Sequence, residues 1–143
     1  MLLRPNRTKF NKAQRGRLSR VVSAFRPIKH GRFALIAQES VLLTAHQIEA
    51  TRQVINRYLK RKGKIWIRAF PDLPISAKPT EVRMGKGKGA IKEWVCRIRT
   101  GKILFEVDGV ADQRILEALK AARKKLPLKT LIFKTAWKFP HKV

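Results

Sequence analysis

No acidic residue precedes Glu39, yet Arg4, Arg7, Lys9, Lys12, Arg15, Arg17, Arg20, Arg26, Lys29 and Arg32 all do. A stretch with so much like charge and so few apolar residues cannot stabilise itself by burial. Val21, Val22 and Phe25 offer at most a small local cluster. Two readings fit: an extended arm that orders on an anionic partner, or a solvated tail. The whole chain shares the bias, with 34 Lys and Arg against 9 Asp and Glu, a formal charge of +25 on 143 residues. That length supports one domain with a real core. The charge repels itself unless a polyanion lies alongside. Nucleic acid is the first candidate, because each phosphate neutralised also releases a condensed counterion. An anionic membrane surface is the second. No apolar run approaches the roughly 20 residues of a membrane span, and Pro5 and Asn6 cut the basic start short of a signal-peptide core. The expectation is a protein made in the compartment where it works. One cysteine, Cys96, excludes an intramolecular disulfide.

Beyond the arm, hydrophobic periodicity alternates between strand and helix. Leu35–Leu43 holds a strand signal. Thr44 and Gln47 have capping-box spacing, and Ile48, Thr51, Ile55 and Tyr58–Leu59 recur at helical intervals as far as Lys62, with Gly63 placed to end the helix. Arg57, Lys60, Arg61 and Lys62 fall in its last turns, either as a solvated face that complements the macrodipole or as phosphate contacts. In GKIWIRAFPD, Ile65, Ile67 and Ala69 share one strand face, with Trp66, Arg68 and Phe70 on the other. Trp66 and Phe70 are expected to be buried on a covered sheet face. Pro71, Pro74 and Pro79 make 71–80 a stiff, irregular connection. KEWVCRIR alternates, Thr100-Gly101 suits a tight turn, and KILFEV follows, which together predict an antiparallel hairpin. Asp108-Gly109 turns into a second helix at 111–125, closed by Pro127, and KTLIFKT is a last strand. Interleaved helices and strands with a hairpin give an α+β class with two main helices. The organisation is a basic arm over 1–38, one domain over 39–135 and a basic, aromatic tail over 136–143.

Convergent chemistry is scarce. His30, His46 and His141 have no partner at metal spacing, and Cys96 alternates with Trp94 and Ile98 as a core residue does. Asp108 and Asp112 are explained by turn and helix-start roles. No catalytic group, metal site or cofactor is expected. VRMGKGKGAI at 82–91 is the one segment that suggests an anion cradle. It fails the Walker pattern, since Gly87 or Gly89 stands where a hydroxyl is required, and a strand follows it where a dinucleotide motif requires a helix. Alternating glycines still let the backbone approach a surface closely and adopt positive φ, while Arg83, Lys86 and Lys88 supply charge there. The alternative is a flexible hairpin tip. Trp137 and Phe139 around Lys138 would suit base stacking.

These blocks together resemble the bacterial and organellar form of large-subunit ribosomal protein sixteen. The likeness begins at Arg7-Thr-Lys-Phe10 and Gln47-Ile-Glu-Ala50. It is densest at Gly63-Lys-Ile-Trp-Ile-Arg68, Phe70-Pro-Asp72 and Val82-Arg-Met-Gly-Lys-Gly-Lys-Gly89, and runs on through Trp94, Asp108-Gly-Val110 and Lys125-Leu-Pro127. The resemblance implies a two-layer α/β sandwich with a hammerhead-like β-motif, bound to large-subunit ribosomal RNA beside the aminoacyl-tRNA site. It implies that Arg83, Met84, Gly85, Lys86, Gly87, Lys88 and Gly89 form a loop facing tRNA acceptor arms in the A and P sites, near the peptidyl transferase centre. The arm threads into RNA. The candidate RNA-binding set is then Arg4, Arg7, Lys9, Lys12, Arg15, Arg17, Arg20, Arg57, Lys60, Arg61, Lys64 and Arg68. Neighbouring large-subunit proteins are expected partners, with no membrane and no homo-oligomer. Between Gly16 and Leu43 the usual glycine-rich stretch is reduced to Gly31-Arg32-Phe33, and the tail is longer and more basic than is usual. Diverged flanks around a bacterial-like start point to a mitochondrial, organelle-encoded copy, with plastid or bacterial cytoplasm as alternatives. The expected role is structural, in translation; an RNA-processing or RNA-modifying enzyme, or its basic accessory subunit, is the alternative.

Overall fold

A computed structural model describes residues 3–18 and 27–135. The order is β1 (Phe33–Ala37), β2 (Val41–Thr44), α1 (Ala45–Tyr58), β3 (Lys64–Ile67), β4 (Leu73–Ala77), β5 (Ala90–Ile98), β6 (Ile103–Asp108), α2 (Asp112–Arg123) and β7 (Thr130–Lys134). The strands form two antiparallel sheets, one ordered β3-β6-β1-β7 and the other β2-β5-β4. The class is α+β with two helices.

Strand alternation in β1 divides the interior. Phe33, Leu35 and Ala37 join Ile48 and Ile55 of α1, Ile115 and Leu119 of α2, and Phe105 of β6 in the main core. Ala34 and Ile36 face the other way, onto Ile28 and Ile103. Burying two apolar faces is what lets a chain with this charge fold at all. All five β1 residues are buried between β6 and β7. The arm therefore gives way to the domain before Phe33, not at 38. Nor is the arm wholly free, because Leu3 is only 8% exposed and belongs to the main core.

The capping box forms as expected: Gln47 N–H donates to Thr44 Oγ1 at 3.2 Å and Thr44 N–H to Gln47 Oε1 at 3.0 Å. Helix α1 stops at Tyr58, four residues earlier than its periodicity suggested, and Gly63 does not end it. Gly63 serves close packing instead, since a Cβ there would lie 2.8 Å from Leu59 Cδ1.

The hairpin expected over 92–107 does not exist, although both strands do. Strand β5 pairs with β2 and β4, and β6 with β1 and β3. The turn itself forms, with Lys102 N–H donating to Arg99 O at 3.1 Å. The end of β1 then captures it. Gly101 N–H donates to Ala37 O at 2.8 Å, and Ala37 N–H to Lys102 O at 2.9 Å, so the chain leaves along β1 and crosses into the other sheet. The antiparallel hairpin is β4–β5. Strand β4 lies in the segment expected to be irregular; as an edge strand it tolerates Pro74, which lacks an N–H to donate. Strand β3 ends at Ile67, so Phe70 lies beyond it and is exposed, against expectation. Trp66 is half-buried and stacks on His30, with ring centroids 5.8 Å apart.

Candidate nucleic-acid interface

The glycine–lysine segment is the tip of the β4–β5 hairpin, spanning 78–89. Gly85, Lys86 and Gly87 take successive positive φ values of 106°, 50° and 82°. A Cβ built on Gly85 or Gly87 would meet nothing within 4 Å. Glycine is needed there for the left-handed backbone, not to relieve crowding. Around that bend Arg83, Lys86 and Lys88 are exposed, and Met84 is 98% exposed. Lys78 Nζ donates to Gly85 O and braces the bend.

Sequence reasoning did not foresee that the arm lies against this loop. Lys12 Nζ donates to Lys88 O at 2.7 Å, and Lys88 Nζ donates to Ala13 O at 2.7 Å. Two lysines 76 residues apart thus bind across the same seam, Lys12 to the loop backbone at Lys88 and Lys88 to the arm backbone at Ala13. Closer to the start, Arg4, Pro5 and Asn6 face Ile91, Lys92 and Trp94 of β5 across a groove of about 470 Å³. Arg4, Arg7, Lys9, Lys12, Arg15 and Arg17 are all exposed. Among the described residues, no carboxylate lies within ion-pair distance of these cations or of the loop's. Arg20 and the tail with Trp137 and Phe139 fall outside the described residues.

A second exposed cluster forms where α1 ends. Leu59 caps the helix, Lys60 N–H donates to Arg57 O at 3.1 Å and Arg61 N–H to Asn56 O at 3.2 Å, which is a Schellman closure. Glycine normally occupies the left-handed position of that motif. Here Lys60 and Arg61 hold φ of 51° and 62°. For residues with a side chain, that conformation costs roughly 1–2 kcal/mol each. Gln53, Asn56, Arg57, Lys60 and Arg61 line a groove of about 390 Å³. Lys64 is exposed on β3 nearby in sequence.

Arg68 does not join these surfaces. Its Nη1 donates to Glu106 Oε1 at 3.0 Å, and Glu106 is fully buried. The second oxygen of Glu106 accepts from His30 N–H at 2.7 Å and Gly31 N–H at 3.2 Å. A buried carboxylate therefore fixes the root of the arm. Gly31 must be glycine, because a Cβ would sit 2.7 Å from Val107 N. Next to it Arg32 donates from Nε to Asp108 Oδ1 at 2.6 Å and from Nη2 to Val110 O at 3.1 Å, and pairs with Asp112, which also meets Lys134 Nζ at 2.7 Å. The Lys134 hydrogen bond holds the Asp112 carboxyl below its usual range. The hydrogen bond to Asp108 raises Arg32 further. A lone glutamate in the apolar run ILFEVD was the available signal for this junction, since a carboxylate in a core strand requires a cation nearby.

Of the groups considered for chemistry, Asp108 and Asp112 meet on Arg32, where both serve in ion pairs. Burial pushes the Cys96 thiol up, and it lies in the core. Among the described residues no three His, Cys, Asp or Glu side chains come together as metal ligands, and no helix is long and apolar enough to cross a membrane.

An α+β scaffold that directs outward two cationic projections, neither paired with a carboxylate among the described residues, defines the class: a strongly basic α+β domain. The family model described as ribosomal protein L16p/L10e matches residues 5–133. The chain belongs to this ribosomal protein family, in its bacterial type. Large ribosomal subunit protein uL16 of Chelativorans sp. (strain BNC1) is 50% identical over 129 residues, covering 90% of this chain and 94% of that protein. The protein of the same name from Xanthobacter autotrophicus (strain ATCC BAA-1158 / Py2) is 52% identical over the same lengths. These relatives are named as ribosomal proteins and not as enzymes. They are bacterial, so the expected mitochondrial setting gains no support from them.

Proposed function

We propose that this protein is a structural constituent of the large ribosomal subunit that grips large-subunit ribosomal RNA with its arm and turns the 83–89 loop toward tRNA. In this reading the RNA-facing residues are Arg4, Arg7, Lys9, Lys12, Arg15 and Arg17 of the arm, with Arg57, Lys60, Arg61 and Lys64. Arg68 is left out because Glu106 occupies it. The loop organises the aminoacyl-tRNA site near the peptidyl transferase centre, meeting the acceptor arms of A- and P-site tRNA. Neighbouring large-subunit proteins complete the surroundings.

The observation that carries the reading is the two-way clasp between the arm at Lys12 and Ala13 and the loop at Lys88. It joins arm and loop into one cationic surface that no carboxylate within ion-pair distance neutralises among the described residues. Such a surface is stable beside phosphates, whose condensed counterions it releases. A loop bent by glycines then brings backbone and lysines to the same polyanion, with few side chains in between. The test is sedimentation of the tagged protein through gradients at stepped salt. It should travel with large subunits at low salt and leave them at high salt. Roughly 10³–10⁵ in affinity is lost between 50 and 200 mM salt for six to ten phosphate contacts. A protein that stays at the top of a low-salt gradient would refute the reading.

A further inference from the structure

We infer that the end of α1 is a separate RNA-backbone site, in which Lys60 and Arg61 are held in strained backbone because their side chains are needed for phosphate and not for the fold. This rests on the RNA-binding reading above and adds a specific subsite to it. The helix closes through the N–H groups of Lys60 and Arg61, and those bonds need only a left-handed backbone. Glycine would provide that without steric strain. Nor does the macrodipole require cations at these two positions, since Arg57 already stands in the last turn. What glycine could not supply is a charged side chain beside the groove of Gln53, Asn56 and Arg57. Among the described residues, Arg57, Lys60 and Arg61 have no carboxylate within ion-pair distance. The closure also satisfies Asn56 O and Arg57 O, which reduces the carbonyl repulsion that a phosphate would otherwise meet at a helix C-terminus. The ligand chemistry is a phosphodiester backbone. Its oxygens would sit on the three cations, and the Asn56 amide is available to a phosphate or ribose oxygen.

The experiment pairs thermal unfolding of the free protein with binding of the full chain to a large-subunit ribosomal RNA transcript at several salt concentrations. Lys60→Gly should raise Tm by about 3 °C while weakening RNA binding by about tenfold. It should also reduce the salt slope by about one. Lys60→Asn, which also tolerates the left-handed region, should lose the same RNA affinity. Lys124→Ala removes one exposed cation at the end of α2, where φ is an ordinary −67°, and should change binding by less than about twofold. A Lys60→Gly protein that binds RNA like the wild type, or unfolds at a lower temperature, overturns the inference while leaving the wider reading intact. So does an equal loss of affinity in Lys124→Ala. A wild-type chain that ignores the transcript at every salt concentration overturns the RNA reading, and the subsite with it.

Discussion

The root of the arm and the clasp between arm and loop handle the same residue types in opposite ways. At the root, Arg32 and Arg68 are matched to Asp108, Asp112 and Glu106, and the backbone of His30 and Gly31 is tied to the same buried carboxylate. At the clasp, Lys12 and Lys88 meet carbonyl oxygens and, among the described residues, no carboxylate. A cation paired internally fixes the fold, whereas one bonded to a carbonyl keeps its full charge for an outside anion. In a chain this basic, the acidic residues at the arm root, Glu106, Asp108 and Asp112, therefore mark which cations are structural.

The sharpest way to break that contrast is Glu106→Ala. Removing one partner of a buried ion pair typically costs about 3–5 kcal/mol, a large part of a domain's total stability. Denaturant unfolding should show that loss, with Glu106→Gln less damaging because it still accepts from the two arm-root N–H groups. A Glu106→Ala protein as stable as the wild type would show that the junction is ornamental. Gly31→Ala comes next, at about 1–3 kcal/mol for forcing a Cβ into the β6 backbone. Melting curves would register it. The smallest effect on stability belongs to Lys86→Ala with Lys88→Ala, below about 0.5 kcal/mol. That double variant should nonetheless slow tRNA accommodation on ribosomes that carry it. Unfolding at ordinary temperature would place those lysines with the structural cations and remove the contrast.

Much of this was legible in the chain itself. The capping box, the buried stripe of Ile48, Thr51 and Ile55, the core position of Cys96 and the second helix all follow from local periodicity, which depends on neighbours in sequence. Strand partners do not. Alternation at 92–99 and 102–107 specifies two strands, but β1 decides where the second one goes through its bonds to Gly101 and Lys102. Pro74 hid an edge strand for a related reason, since a missing N–H matters only on a side that must pair. The loop's composition revealed its charge and its left-handed bend, whereas the clasp on Ala13 required a contact across 75 residues. Arg68 looked like its exposed neighbours until Glu106 was placed under it.

The burial of Leu3 has a topological consequence. With Leu3 lodged in the main core and Lys12 and Ala13 held to the loop at Lys88, the described basic leader over 3–18 is a strap and not a loose thread. A strap cannot be fed tip-first through a closed ring of nucleotides. It has to be laid over a surface already in place or covered by strands that fold later, unless Leu3 first comes out of its seat.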